Sequence, residues 1–317
     1  MGDSSGRGAA PELLHYRPWK GTFRPPIAAV WPIARTGLLM LLRRRLFWGL
    51  YALSMMIFLM YFFGQYLLAW FQTQAGESRV VVGLLAIHPG ELIEILADKL
   101  KLNGSAATYR NYIHYQGYMV MIVLALAGSV LIGNDFRYGS LPFYLSKPLS
   151  RRHYLLGKGL AVAVFINLLT TLPALALFVE YGLIYSWDHF TRNSYLVAGI
   201  LAYGAVLTVS LTLILLATAV WLRRTVPLIM TWTALFLLCR QLATSLVDGL
   251  HLDPRWRLID LWNNTWLVGG ACLQMGPEAF DPASQPRWIE AALVLGGVSL
   301  ACLSYLALRL RAVEIVG

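Results

Sequence analysis

The chain has 317 residues, of which 58% are hydrophobic and 13% charged, and its formal net charge is +10. Soluble domains carry about 25% charged residues, so a soluble fold would leave too much apolar surface facing water, a constraint that lipid removes. The basic residues flank apolar runs, which reads as membrane topology and excludes nucleic acid as the partner.

Residues 1–25 are rich in Gly, Pro, Ser and Arg and lack the apolar stretch of a cleaved signal peptide. They are expected to form a disordered cytoplasmic tail ahead of one membrane domain, 26–317. The segment 27–45 (IAAVWPIARTGLLMLLRRR) is apolar with a basic end. It predicts an amphipathic elbow helix lying along the membrane surface before the chain turns in. Six apolar runs then reach spanning length, about 20 residues. They fall at about 46–70, 112–132, 159–181, 194–222, 226–250 and 291–308. The runs are too long and too unbroken for strands of a barrel. The expected fold is an all-α membrane protein, a bundle of six transmembrane helices. Pro173 is expected to kink the third, and Gly199 and Gly204 to let helices approach closely.

With the N-terminus inside, 17 of the 26 basic residues fall on the inner side and 8 on the outer, leaving Arg240 within a span. This bias predicts a lipid-embedded chain with both termini cytoplasmic. Two outer loops are long. In 71–115, the stretch PGELIEILADKLKLNG places Leu92, Ile93, Leu96 and Leu100 on one helical stripe, so an amphipathic helix is expected there. In 251–287, Trp256, Trp262 and Trp266 suit the lipid headgroup level. Cys239, Cys272 and Cys302 are odd in number and widely spaced, so neither a disulfide framework nor a zinc site is expected. His88, His114, His189 and His251 fall in three outer loops without helical i,i+4 spacing, so no metal is expected.

The inner loop between the second and third runs reads GNDFRYGSLPFYLSKPLSRRHYLLGKG, residues 133–159. Gly139 and Pro148 bracket a short helix-competent stretch, and Ser150 is a good N-cap for the next helix. Phe143, Tyr144 and Leu145 are apolar residues on an otherwise polar loop. They would serve as a docking surface, or would pack under the bundle. This stretch resembles the cytoplasmic loop of type-2 ATP-binding-cassette (ABC) transporter permeases. The resemblance is carried in order by Asp135, Gly139, Ser140, Leu141, Leu145, Ser146, Pro148, Ser150, Arg151, Gly157 and Lys158. Asp135 stands where that family usually has Glu, and Lys147 where it often has Arg. The elbow ending LLRRRLFWGL and the six-run layout resemble the family as well.

What the resemblance implies is a permease subunit of an ATP-driven exporter, with a cytoplasmic coupling helix in this loop. Such permeases dimerise, with a second copy or a homologous chain. Each half docks on a separate cytoplasmic ABC ATPase, where ATP and magnesium bind, and this chain binds no cofactor directly. A P-loop needs GxxxxGK[ST]. Gly157-Lys158 is followed by Gly159, and Arg152 stands where the first glycine belongs. No HExxH, GxSxG or paired-carboxylate motif appears, so no catalytic residue is expected. Two rivals remain: a membrane enzyme or maturation factor acting on lipid or envelope substrates, and a membrane anchor that recruits a soluble partner.

Arg240 is the one strongly charged residue deep in a span. An Arg there costs roughly 2.5–3.5 kcal/mol on insertion scales, so it needs a partner. Glu180 and Asp248 are the candidates in this chain. The leading expectation is a buried pair that fixes packing; the other is a lining group for anionic or polar cargo.

Overall fold

A computed structural model describes residues 26–73, 80–82, 85–87, 93–128, 131, 133, 151–276 and 285–309. The tail 1–25 therefore lies outside the described residues. The chain folds as an all-α membrane protein with, among the described residues, one short pair of β-strands. Helix α1 (Val30–Leu42) follows a short 3-10 turn, Pro26–Ala29. It gives way at 43–44 to α2 (Arg45–Thr73). The Trp48 indole N–H closes this corner by donating to the Leu42 carbonyl at 2.8 Å, one of the carbonyls that a helix end leaves unpaired.

Strands Val80–Val82 and Leu85–Ile87 pair antiparallel, which the sequence did not announce. The expected amphipathic α-helix is wound as a π-turn over Ile95–Lys99, with Leu96 buried. Helix α3 (Ala106–Gly128) follows. After it come α4 (Arg151–Leu169), α5 (Thr171–Tyr185), the short α6 (Asp188–Arg192) and α7 (Ser194–Leu222). Helix α8 (Thr225–Gly249) contains two π-turns, Ala234–Leu238 and Ser245–Gly249. A 3-10 turn (Pro254–Ile259), α9 (Leu261–Cys272) and α10 (Trp288–Arg309) complete the described chain.

Among the described residues, five helices are long and apolar enough to cross a membrane: α2, the continuous α4–α5, α7, α8 and α10. Six were expected. The difference is α3, which at 23 residues has the length. Its first half, however, carries Arg110, Asn111, His114 and Gln116. It also begins at Ala106, so His114 lies inside a helix and not in an outer loop.

Helix α7 is the central post, touching α3, α4, α5, α8, α9 and α10. Close approach depends on its small residues. A side chain at Gly204 would meet Thr171 Oγ1, and one at Gly199 would meet the Cys272 carbonyl at 2.8 Å. The elbow α1 lies along α4, where Gly157 leaves room for Ile33.

The α4–α5 break is where Pro173 predicted a kink. Proline has no N–H for the carbonyl four residues back, which is Leu169. The Tyr112 hydroxyl of α3 donates to that carbonyl instead, at 3.3 Å. Gln116 Nε2 donates to the Tyr112 oxygen at 2.9 Å and to the Ser54 carbonyl at 2.8 Å. Ser54 Oγ donates back to Gln116 Oε1 at 2.8 Å. One buried polar chain thus ties α2 and α3 to the gap.

Trp262 faces protein, not lipid headgroups or water. It is 1% exposed and seated against Gly117 of α3, where an added Cβ would come within 1.9 Å of its ring. Gly117→Ala should therefore lower stability by about 1–3 kcal/mol through overpacking. The melting temperature of the purified chain reads this out. Gly297→Ala, with nothing within 4 Å of the new carbon, is the matched control and should leave it unchanged. An unaltered Gly117→Ala protein would mean that Trp262 is not seated there.

Candidate functional site

Two regions hold the residues singled out by sequence. The first is the base of the inner loop. Asp135, Gly139, Ser140, Leu141, Phe143, Leu145 and Pro148 lie outside the described residues. The segments flanking the loop are described, and they meet on a built platform. Leu131 is fully buried, and it faces Gly37 of α1. Gly133 lies against the backbone of Arg223, where an added Cβ would be 3.2 Å from its carbonyl oxygen. Arg223 itself is left-handed, at φ 53°, and makes the tight turn from α7 into α8. On the far side of the loop, Arg151 opens α4. Lys158 is 3% exposed: its ammonium donates to the Leu131 carbonyl and lies 5.7 Å from the Tyr154 ring centroid. Lys158 is thus the bolt that closes the loop's base, not a contact offered to solvent.

The second region runs along α3 and α8. His114 packs against Trp262 with its ring tilted by 31° and the centroids 5.3 Å apart, and the Tyr118 hydroxyl lies 3.3 Å from His114 Nε2. The Arg110 guanidinium lies over the Trp266 ring at 4.3 Å. Aromatic faces suit a desolvated cation. Below Tyr118, a cavity of about 270 Å³ opens between the two helices. Tyr118, Met121, Ile122 and Ala125 line it from α3, and Trp232, Thr233, Phe236 and Leu237 from α8. Trp232 is anchored by its N–H to Thr218 Oγ1 of α7 at 3.1 Å. The π-turn Ala234–Leu238 re-aims the side chains of α8 at this point, and π-turns within helices recur at functional sites.

Arg240 stands one turn beyond Phe236, exposed on the protomer, with its guanidinium carbon 5.4 Å from the Tyr118 ring centroid. The expected pairing is corrected here: among the described residues it pairs with neither candidate. Asp248 bonds Arg257 at 2.6 Å, because the 3-10 turn after α8 brings Arg257 back to it. Glu180 is on α5, which packs on α2, α3, α4 and α7. It is buried, and neither of its oxygens has a hydrogen-bond partner among the described residues. The Asp260 carboxylate caps α9 by accepting from the Trp262 N–H at 2.8 Å. Burial pushes Asp260 up, opposed by the N–H groups of Asn263 and Trp262 and by the nearby Arg240 and Arg257.

Residues 31–250 match the family model described as ABC-2 family transporter protein. The chain belongs to the ABC-2 transporter family. It is the membrane-spanning permease component of an ABC transporter, a multi-pass membrane protein. The matched region takes in the elbow, the loop and the groove. No curated protein matches the permease. Sequence reasoning missed Tyr118, Trp232 and Phe236, since aromatics in apolar runs carry no signal of their own. It also missed the α9 tryptophans as a cover for α3.

Among the described residues no cluster of His, Cys, Asp and Glu could hold a metal ion. Replacing Lys158 with Met keeps length but removes the ammonium from which the Leu131 carbonyl accepts. The expected cost is about 1–3 kcal/mol, read as a lowered melting temperature of the purified permease. Arg152→Met, at an exposed position one turn and a half away, should change stability by less than about 0.5 kcal/mol. Equal effects at the two positions would remove the bolt from the account.

Proposed function

We propose that this permease is the membrane subunit of an ATP-driven exporter moving its cargo out across the cytoplasmic membrane. Residues 134–150 form its docking element for a separate cytoplasmic ATPase, on which ATP and magnesium bind. A second permease, identical or homologous, completes the pathway. Both termini are cytoplasmic, in line with the basic bias of 17 to 8 across the apolar runs. Helix α3 is the sixth crossing; its polar groups are tolerated because protein covers them.

The observation that carries the reading is family membership together with the loop base. Both flanks of the loop are fixed on one buried platform that also holds α1 and the α7–α8 turn. A load applied to the loop would therefore bear on α1, α4 and the α7–α8 turn at once. Phe143 and Leu145 supply the apolar contact, and Asp135, Arg151 and the turn residues Gly139 and Pro148 shape it.

The test is capture of the ATPase. Tagged full-length permease, taken from membranes that also contain its ATPase, should co-purify a subunit that hydrolyses ATP. Asp at Phe143 and Leu145 together should abolish that captured activity while the permease stays in the membrane at its usual level. Undiminished captured activity would overturn the docking assignment. A permease that captures no ATPase even unaltered would favour an anchor or a membrane enzyme.

A further inference from the structure

The groove between α3 and α8 combines three features. Its walls are apolar and aromatic, with Tyr118, Trp232 and Phe236 as the large faces. It opens to the outside of the protomer, where Ile122 is 46% and Leu237 62% exposed. At its end stands the exposed guanidinium of Arg240, in an apolar helix of spanning length. A guanidinium in a low-dielectric setting calls for a counter-charge. Among the described residues Asp248 is bonded to Arg257, while Asp260 caps α9 and divides its charge between Arg240 and Arg257 without forming an ion pair with Arg240.

We propose that this groove binds an amphipathic organic anion, a single anionic head on a hydrocarbon body. The head pairs with Arg240 and the body lies along Tyr118, Trp232 and Phe236. A planar fork of N–H donors suits a carboxylate or a phosphate head. The aromatic walls suit a chain or ring that leaves lipid without meeting water. A cationic amphiphile would meet Arg240 as a like charge. A neutral one would bring the guanidinium no charge of its own. Such a ligand is the cargo class of the groove, and that assignment rests on the transport reading above. The binding step itself needs no ATPase.

The experiment uses the purified full-length permease in nanodiscs of zwitterionic lipid. The probes are an ω-bromo fatty acid and an ω-bromoalkyl trimethylammonium of the same chain length, and bromine quenching of tryptophan is the readout. The difference between the unaltered protein and Trp232→Phe isolates the signal of Trp232. The anion should quench Trp232 saturably and bind at least about tenfold more tightly than the cation, the scale of one charge-assisted contact. Arg240→Gln should erase that preference, and Arg240→Lys should retain most of it. Equal binding of the two probes, or a preference that survives Arg240→Gln, would overturn the proposal. So would a disulfide between two copies of Leu237→Cys accompanied by no quenching, since a second permease would then fill the groove. Retained ATPase capture with lost anion preference counts against the groove alone. Retained preference with lost capture counts against the transport reading alone.

Discussion

Pro173 has no N–H to give the Leu169 carbonyl, and the bundle is arranged around that missing bond. An unpaired carbonyl in the membrane interior is costly. The gap is filled from α3, by the Tyr112 hydroxyl, which is held in turn by Gln116 and Ser54. A helix that supplies such groups must itself be polar in part, and a partly polar helix must be covered by protein. This requirement fixes α3 beside α2, α4, α5 and α7. It also accounts for the interruption at Thr170 within the apolar run from Arg152 to Tyr185, next to its own unfilled rung.

The same polarity organises another face of this half of α3. Arg110 and His114 meet Trp266 and Trp262, which α9 folds back to supply. Gly117 provides the notch that admits Trp262. With one face of α3 thus closed, its remaining face turns to α8 and forms the groove. The loop base and the groove are therefore not independent. Helix α3 leads from the groove towards Leu131, and Leu131 receives Lys158 at the start of α4.

Much of this was legible in the sequence, for physical reasons that differ by element. Long uncharged runs read as spanning helices because few other structures satisfy a backbone in lipid. Run four, 194–222, coincides with α7 because Asn193 and the αL residue Arg223 bound it. The interruption of the third run near Pro173, at Thr170, followed from proline's missing donor. The start of α3 was placed too late because Arg110 and His114 look like loop residues until their aromatic partners are known. Those partners stand some 150 residues away in sequence, at Trp262 and Trp266. The pairing expected for Arg240 was not legible, because Asp248 is claimed by Arg257 only once the chain turns back at Pro254. The π-turns in α8 left no mark in composition at all.

The most direct test of this arrangement is a pair of unfolding measurements on the Tyr112–Pro173 couple. Tyr112→Phe removes the hydroxyl that answers the Leu169 carbonyl and should cost about 0.5–1.5 kcal/mol. Pro173→Ala restores the backbone donor to that carbonyl. In that background the cost of Tyr112→Phe should fall by at least about 0.5 kcal/mol, a coupling that independent sites do not show. An identical loss in both backgrounds would contradict the account, since the hydroxyl would then be doing something other than filling the gap left by Pro173.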